Sequence, residues 1–251
     1  MANLHVFADL NQLSQAAAQQ FVDSAQAAVQ ANGRFLVALS GGSTPNRLFS
    51  LLSHTPYADT IPWAHTHIFW GDERLVPPQD SGSSYKQAHD LLLKDVPVPP
   101  HHIHRVKGES DSETAVADYT QQLQELAEPG QSWPRFDLAI MGLGNDGHTA
   151  SLFPGAISPE ETVQPVIAVT AHYDGRPAQR ISLTPLVFNE AHTVLFLVSG
   201  ANKAEALTAV LHHADTPEKW PAQRIQPHSG QLLWFVDKAA AGERQTTAIS
   251  K

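Results

Sequence analysis

FDLAIMGLGNDGHTASLFPG, Phe136–Gly155, opens as an apolar run, turns through Gly142, Gly144 and Gly147, and closes on Pro154-Gly155. Phe136–Met141 has the length and continuous apolar character of a strand buried on both faces. The glycines spell G-x-G-x-x-G, which raises a dinucleotide-binding reading. That reading needs a full helix after the glycines and an acidic residue at the end of the next strand to hold a ribose. Here Pro154-Gly155 interrupts within about two turns. No acidic residue directly ends the next expected strand, Val166–Val169, and Asp174 lies several residues beyond it. The dinucleotide reading is therefore rejected. What the stretch does place is Asp146 and His148, two residues apart, where a strand ends.

Outward from this stretch the chain alternates helix and strand. Leu10–Gln30, rich in Ala and Gln with spaced apolar residues, predicts a helix stopped by Asn32-Gly33. Phe35–Leu39 predicts a buried strand, followed by a helix starting at Pro45. Then come a strand over His67–Trp70, a helix over Tyr85–Lys94, a strand over His102–Val106 and a helix over Ser112–Ala127. In the second half Val166–Val169, Thr193–Val198 and Leu232–Val236 read as strands and Asn202–His213 as a helix. Such alternation predicts an α/β fold, a mostly parallel sheet with helices on both faces. Pro97–Pro100, Glu128–Pro134 and Thr216–Pro227 read as loops within one domain spanning residues 1–251.

Ligands of open α/β sheets bind outside the carboxyl ends of the strands. Besides Phe136–Gly155, three segments lie there. In LSGGSTPNRLF, Leu39–Phe49, Gly41 and Gly42 permit close backbone approach, Thr44 stands at the expected N-cap and Pro45 at the first helical position. Free amides at a helix start, beside the hydroxyls of Ser40, Ser43 and Thr44, make a phosphate cradle, although a plain capped turn would use the same residues. The Gly-Lys-Ser/Thr ending of a Walker A loop is absent. In WGDERLVP, Trp70–Pro77, Asp72, Glu73 and Arg74 are adjacent and cannot all share one face of an extended chain. Arg74 offers a bidentate guanidinium. In Arg180–Leu207 a strand runs through Ser199-Gly200 to Lys203, a cation near a helix start, better explained with an anion beside it. Arg180 is a further candidate.

Histidine 148 suits proton transfer, because an unperturbed imidazole titrates at about 6.5. Asp146 would orient the ring or favour its protonated form; spacing leaves open whether the two bond directly.

A formal net charge of −9 over 251 residues argues against nucleic-acid or anionic-membrane partners. No apolar run approaches the roughly 18 residues of a membrane span, and the N-terminus lacks the features of a signal peptide. The absence of cysteine excludes disulfides and thiolate chemistry and is compatible with a reducing cytoplasm. The 14 histidines include the clusters His101, His102, His104 and His212, His213, but none in a His-Glu-x-x-His pattern, so metal binding is not expected. No G-x-S-x-G elbow is present.

SGGSTP, WGDERLV, GLGNDGHTASLFPG and SGANKAEAL occur in an order and spacing that resembles the 6-phosphogluconolactonase family across nearly the whole chain. The superfamily also contains glucosamine-6-phosphate deaminases. Their aspartate-glutamate-tyrosine is here Asp72-Glu73-Arg74, and their Ile-Ala-Phe-Asn-Glu-Pro-like stretch is here Thr149–Pro154. Both departures favour the lactonase. The resemblance implies an open Rossmann-like sheet, no cofactor or metal, and hydrolysis of 6-phosphogluconolactone in the oxidative pentose phosphate pathway. It implies His148 as general base with Asp146 beside it, and Gly41, Gly42, Ser43, Arg74 and Lys203 as contacts to the phosphate or lactone. Thr44 and Arg180 join that set on the reading of the residues. The oxyanion would need donors about 3 Å away, expected from amides near Gly144–Gly147 or from an arginine. The expected partner is a small sugar-phosphate lactone, and the expected state a cytoplasmic monomer or weak homo-oligomer. A deaminase, or a silent sugar-phosphate sensor, is the alternative.

Overall fold

Among the described residues nine strands organise the chain: β1 (Asn3–Phe7), β2 (Phe35–Leu39), β3 (Thr66–Trp70), β4 (Asp72–Arg74), β5 (Leu138–Gly142), β6 (Val166–Thr170), β7 (Gln179–Leu183), β8 (Thr193–Val198) and β9 (Gln231–Asp237). The computed structural model describes residues 3–173, 175, 177–212 and 214–246, the last four of these by backbone alone. Asp174 and His213 lie outside the described residues. Six strands pair parallel in the order β1-β9-β8-β5-β2-β3, and β4-β7-β6 form a separate antiparallel sheet.

Period-two alternation explains why the central strands are apolar throughout. Phe35, Val37 and Leu39 of β2 enter one core, with Leu138 and Ile140 of β5 and Leu195 and Leu197 of β8. Leu36 and Ala38, Ala139 and Met141, and Val194, Phe196 and Val198 enter the other. A strand buried on both faces has no position for a polar residue. On the first face lies the helix Leu10–Asn32, which buries Leu13, Ala17, Phe21 and Ala25 along one stripe. Asp9 Oδ1 caps its start by accepting from Gln12 N at 2.9 Å, and Gly33 ends it at φ 75°. The second face is covered by the helices Ser112–Gln124 and Ala204–His212 and by the small sheet, whose Val166, Ile167, Ile181 and Leu183 join that core.

Several boundaries differ from expectation. His102–Val106 is not a strand. A 3₁₀ turn occupies Pro100–His102, and only Ile103 bridges β3, through Ile68. Pro99 and Pro100 have no amide to donate to a ladder. The imidazoles stack instead, His102 on His67 at 3.8 Å and His104 on Phe69 at 4.2 Å. Burial, with the neighbouring histidines, pushes His67 and His104 down to about 4, so both pack as neutral rings near neutral pH. The helix expected to reach Lys94 ends at Leu91, and a 3₁₀ turn follows at Leu93–Asp95. The helix expected from Asn202 begins as the 3₁₀ turn Ala201–Lys203 and becomes α-helical over Ala204–His212. Val166–Val169 is extended, but it belongs to the antiparallel sheet, with Val166 and Ile167 buried and Ala168 exposed.

The chain passes from β2 to β3 on one side, then returns as β5 on the other side of β2 and continues outward through β8 and β9. Strand order therefore reverses between β2 and β5, which opens a crevice at their carboxyl ends. Among the described residues no helix is long and apolar enough to cross a membrane.

Candidate active site

That crevice is a cavity of about 330 Å³. Ser40–Pro45 enter it from the end of β2, residues 142–145 and 148–150 from the end of β5, and Ser199, Asn202 and Lys203 from beyond β8. Asp72 and Arg74 of β4, Arg180 of β7 and Tyr173 complete the wall.

The cationic half begins with Glu73. As the alternation of an extended strand requires, Asp72 and Arg74 face the cavity while Glu73 turns away and is 2 % exposed. Its carboxylate accepts from Arg74 N (2.8 Å), Ser83 Oγ (2.9 Å), Ser84 N (2.7 Å) and Tyr85 N (2.7 Å). Burial raises the Glu73 pKa against the pull of these donors. Glu73 thereby docks β4 onto the start of the helix Ser84–Leu91. Gln87 of that helix accepts from Gly42 N at 3.2 Å and donates to Gly42 O and to Asn46 Oδ1. The arginine strand and the glycine loop are thus tied through one helix. Gly42 holds φ 94°, which only glycine adopts at little cost.

Arg74 and Arg180 stand directly opposite in the β4–β7 ladder. Like charges so placed destabilise a sheet unless an anion lies with them. Arg74 Nη1 donates to Gly82 O at 2.6 Å, while its buried Nε has no hydrogen-bond partner among the described residues. Arg180 is 4 % exposed, 3.8 Å from Asp72 Oδ2, with its guanidinium carbon 5.8 Å from the Phe153 ring centre. Ser151 Oγ donates to the same Asp72 oxygen at 2.7 Å. With Lys203, three cations among the described residues face the cavity of a chain whose net charge is −9. Low-dielectric walls focus such a field on an anion.

The imidazole half stands at the end of β5. Asp146 Oδ1 lies 2.6 Å from His148 Nδ1 and accepts from His148 N at 3.2 Å. Its other oxygen accepts from the Tyr173 hydroxyl. Burial would raise the Asp146 carboxyl, but the bonds from His148 and Tyr173 outweigh it and hold the group below the usual carboxylate range. An ionised Asp146 makes Nδ1 the protonated nitrogen and leaves Nε2 with the lone pair. The His148 side chain is 24 % exposed, so water and ligand can reach it. Asp146 is absent from the cavity wall and meets it only through its bond to the His148 ring.

Gly144 allows this arrangement. A Cβ there would lie 2.1 Å from His148 Nδ1 and 2.5 Å from Asp146 Oδ1. The ring is held by Asp146, by Phe153 at 5.1 Å and by Tyr173 at 5.7 Å, so it has to leave its position. Gly144→Ala is expected to displace the His148 ring and, on the reading of His148 as a base proposed below, to lower kcat by about 10²-fold, the scale of a misplacement of about 1 Å. Steady-state kinetics, with near-UV circular dichroism as control, checks it.

The residues singled out in the sequence converge here: Gly41, Gly42, Ser43, Thr44, Arg74, His148, Arg180 and Lys203 line the cavity, and Asp146 supports it. Two expectations hold only in part. Thr44 is already helical (φ −63°, ψ −44°) and makes no side-chain cap, because the turn closes from Asn46 N to Ser43 O at 3.3 Å. The amides of Gly144 and Gly147 are spent on His148 O (2.7 Å) and Gly144 O (3.1 Å), which narrows the expected oxyanion donors to the amides of Asn145 and Asp146 or an arginine. Sequence reading missed Tyr173, Gln87 and the role of Asp72 beside Arg180. Tyr173 and Gln87 carry no motif. Asp72 was visible only as one of three loop charges.

The model of the family described as glucosamine-6-phosphate isomerases/6-phosphogluconolactonase matches residues 8–234. A protein named 6-phosphogluconolactonase from Haemophilus influenzae is 36 % identical over 235 residues, covering 92 % of this chain and 98 % of its own. One of the same name from Nostoc is 38 % identical over 219 residues, covering 86 % and 87 %. The solved structure of 6-phosphogluconolactonase from Trypanosoma brucei superposes with a TM-score of 0.83 at 26 % identity, over 96 % of this chain and 98 % of that one. A match that runs through β2, β5 and β8 and includes every loop of the crevice makes this chain a member of the glucosamine-6-phosphate isomerase/6-phosphogluconolactonase family.

Proposed function

We propose that the protein hydrolyses 6-phospho-D-glucono-1,5-lactone to 6-phosphogluconate, the lactone-opening step of the oxidative pentose phosphate pathway. The carrying observation is the meeting of the His148–Asp146 pair and the Gly41–Thr44 loop, with Arg74, Arg180 and Lys203, in one cavity. Its volume of about 330 Å³ is within the range of small-ligand sites, about 300–1,000 Å³.

The phosphate is held by the Gly41–Thr44 loop with Arg74 and Lys203. His148 Nε2 takes a proton from water as the water oxygen attacks C1 of the lactone. The C1 carbonyl becomes an oxyanion, and with the Gly144 and Gly147 amides committed, Arg180, held beside Asp72, is a donor that fits. The intermediate collapses by breaking the bond from C1 to the ring oxygen, which receives the proton from His148. Asp146 stabilises the imidazolium between these transfers. The active unit is one domain spanning the chain, a cytoplasmic monomer or weak homo-oligomer. In support, Val163 is the sole large apolar side chain exposed among the described residues.

A pH-stat assay on freshly prepared lactone at mildly acidic pH, where spontaneous opening is slow, tests the reading. Acid release well above the blank is expected. Ammonia release from glucosamine 6-phosphate would make the protein a deaminase, and saturable binding of 6-phosphogluconate without lactone turnover would make it a sensor.

A further inference from the structure

Tyr173 sits in the connection between β6 and β7, far in sequence from the glycine loop, and lines the cavity. Its hydroxyl donates to the Asp146 oxygen that His148 does not use and lies 3.1 Å from His148 Nδ1. Its ring packs edge-on against Phe153 at 5.4 Å and tilted beside His148 at 5.7 Å. The carboxylate is thereby held at both oxygens by groups from two separate loops.

We infer that Tyr173 is a positioning residue for lactone hydrolysis, its hydroxyl locking the Asp146 carboxylate in the plane that keeps His148 Nε2 turned toward the substrate. The inference rests on the hydrolytic reading above and deepens it. With one oxygen bonded only to His148, Asp146 could rotate about its side-chain torsion and carry the imidazole with it. A second donor on the other oxygen removes that freedom. The phenol also draws on the carboxylate's charge, which limits how strongly Asp146 stabilises the imidazolium. Tyr173 therefore acts on both the geometry and the proton affinity of the base through Asp146.

The test compares the parent chain, Tyr173→Phe and Tyr173→Ala on the phosphorylated lactone. Tyr173→Phe keeps the ring contacts and loses only the hydroxyl. It is expected to lower kcat by about tenfold at unchanged KM, the scale of one hydrogen bond to a charged group. The acid limb of its kcat/KM profile is expected to move to higher pH, because Asp146 without its phenol returns more charge to the protonated ring. Tyr173→Ala is expected to show the same shift with a larger fall in kcat. A parent chain that fails to open the lactone overturns the hydrolytic reading itself. An active parent with a Tyr173→Phe profile that superposes on it, or a change confined to KM, overturns the role of Tyr173 alone.

Discussion

His148→Ala is expected to lower kcat on the phosphorylated lactone by about 10²–10⁴-fold, the contribution typical of a positioned general base. KM is expected to stay within a small factor, because the cradle proposed for the phosphate is built from other loops of the cavity: Gly41–Thr44, Arg74 and Lys203. Stability is expected to change little. The imidazole is 24 % exposed, and its partner Asp146, at 37 %, keeps the Tyr173 hydroxyl and access to water. Removing the ring therefore leaves no uncompensated charge in the core, the usual cause of a large loss. The lactone opens unaided, so the enzymatic rate has to be read above a protein-free blank at each pH. Turnover by His148→Ala close to that of the parent would end the assignment of the base.

Arg74→Ala carries the second large effect, and it is expected in KM. The guanidinium is held by Gly82 O at 2.6 Å, and its strand is clamped by Glu73. The group is thus pre-ordered before any ligand arrives, and little side-chain entropy is lost on binding. A hydrogen bond to a charged group is worth about 1.5–3 kcal/mol, so KM for the phosphorylated lactone is expected to rise about 10- to 100-fold. Plain glucono-1,5-lactone has no phosphate, and its kcat/KM is expected to change little. Kinetics on the two substrates side by side decides the matter. An equal loss on both would place Arg74 at the reacting carbonyl and not at the phosphate.

The large central elements were readable from local pattern. The five apolar residues of β2 are all buried because strands covered on both faces have no polar side, and Gly33 stops its helix in the left-handed conformation that the sequence Asn32-Gly33 suggests. The edges were less readable. β4 is three residues long and entirely charged, so its extended conformation comes from pairing with β7 and from the four donors to Glu73, neither of which leaves a mark on hydrophobic periodicity. His102–Val106 has strand-like composition, yet prolines before it and stacking imidazoles within it win over ladder formation.

The candidate site residues divide in the same way. By itself the sequence determined the types and local settings of the groups at the site: an aspartate two residues before a histidine after a buried strand, and a glycine–serine loop before a helix. These are short-range properties, encoded in backbone freedom, capping and period. Tertiary structure alone decided that the two loops face each other, because the crevice exists only where strand order reverses between β2 and β5. It also decided that Arg180 opposes Arg74, that Tyr173 reaches Asp146, and that the Gly144 amide is already spent. Strand order and register are set by how whole faces pack and by which chain closures are compatible with them, and no window along the chain contains that information.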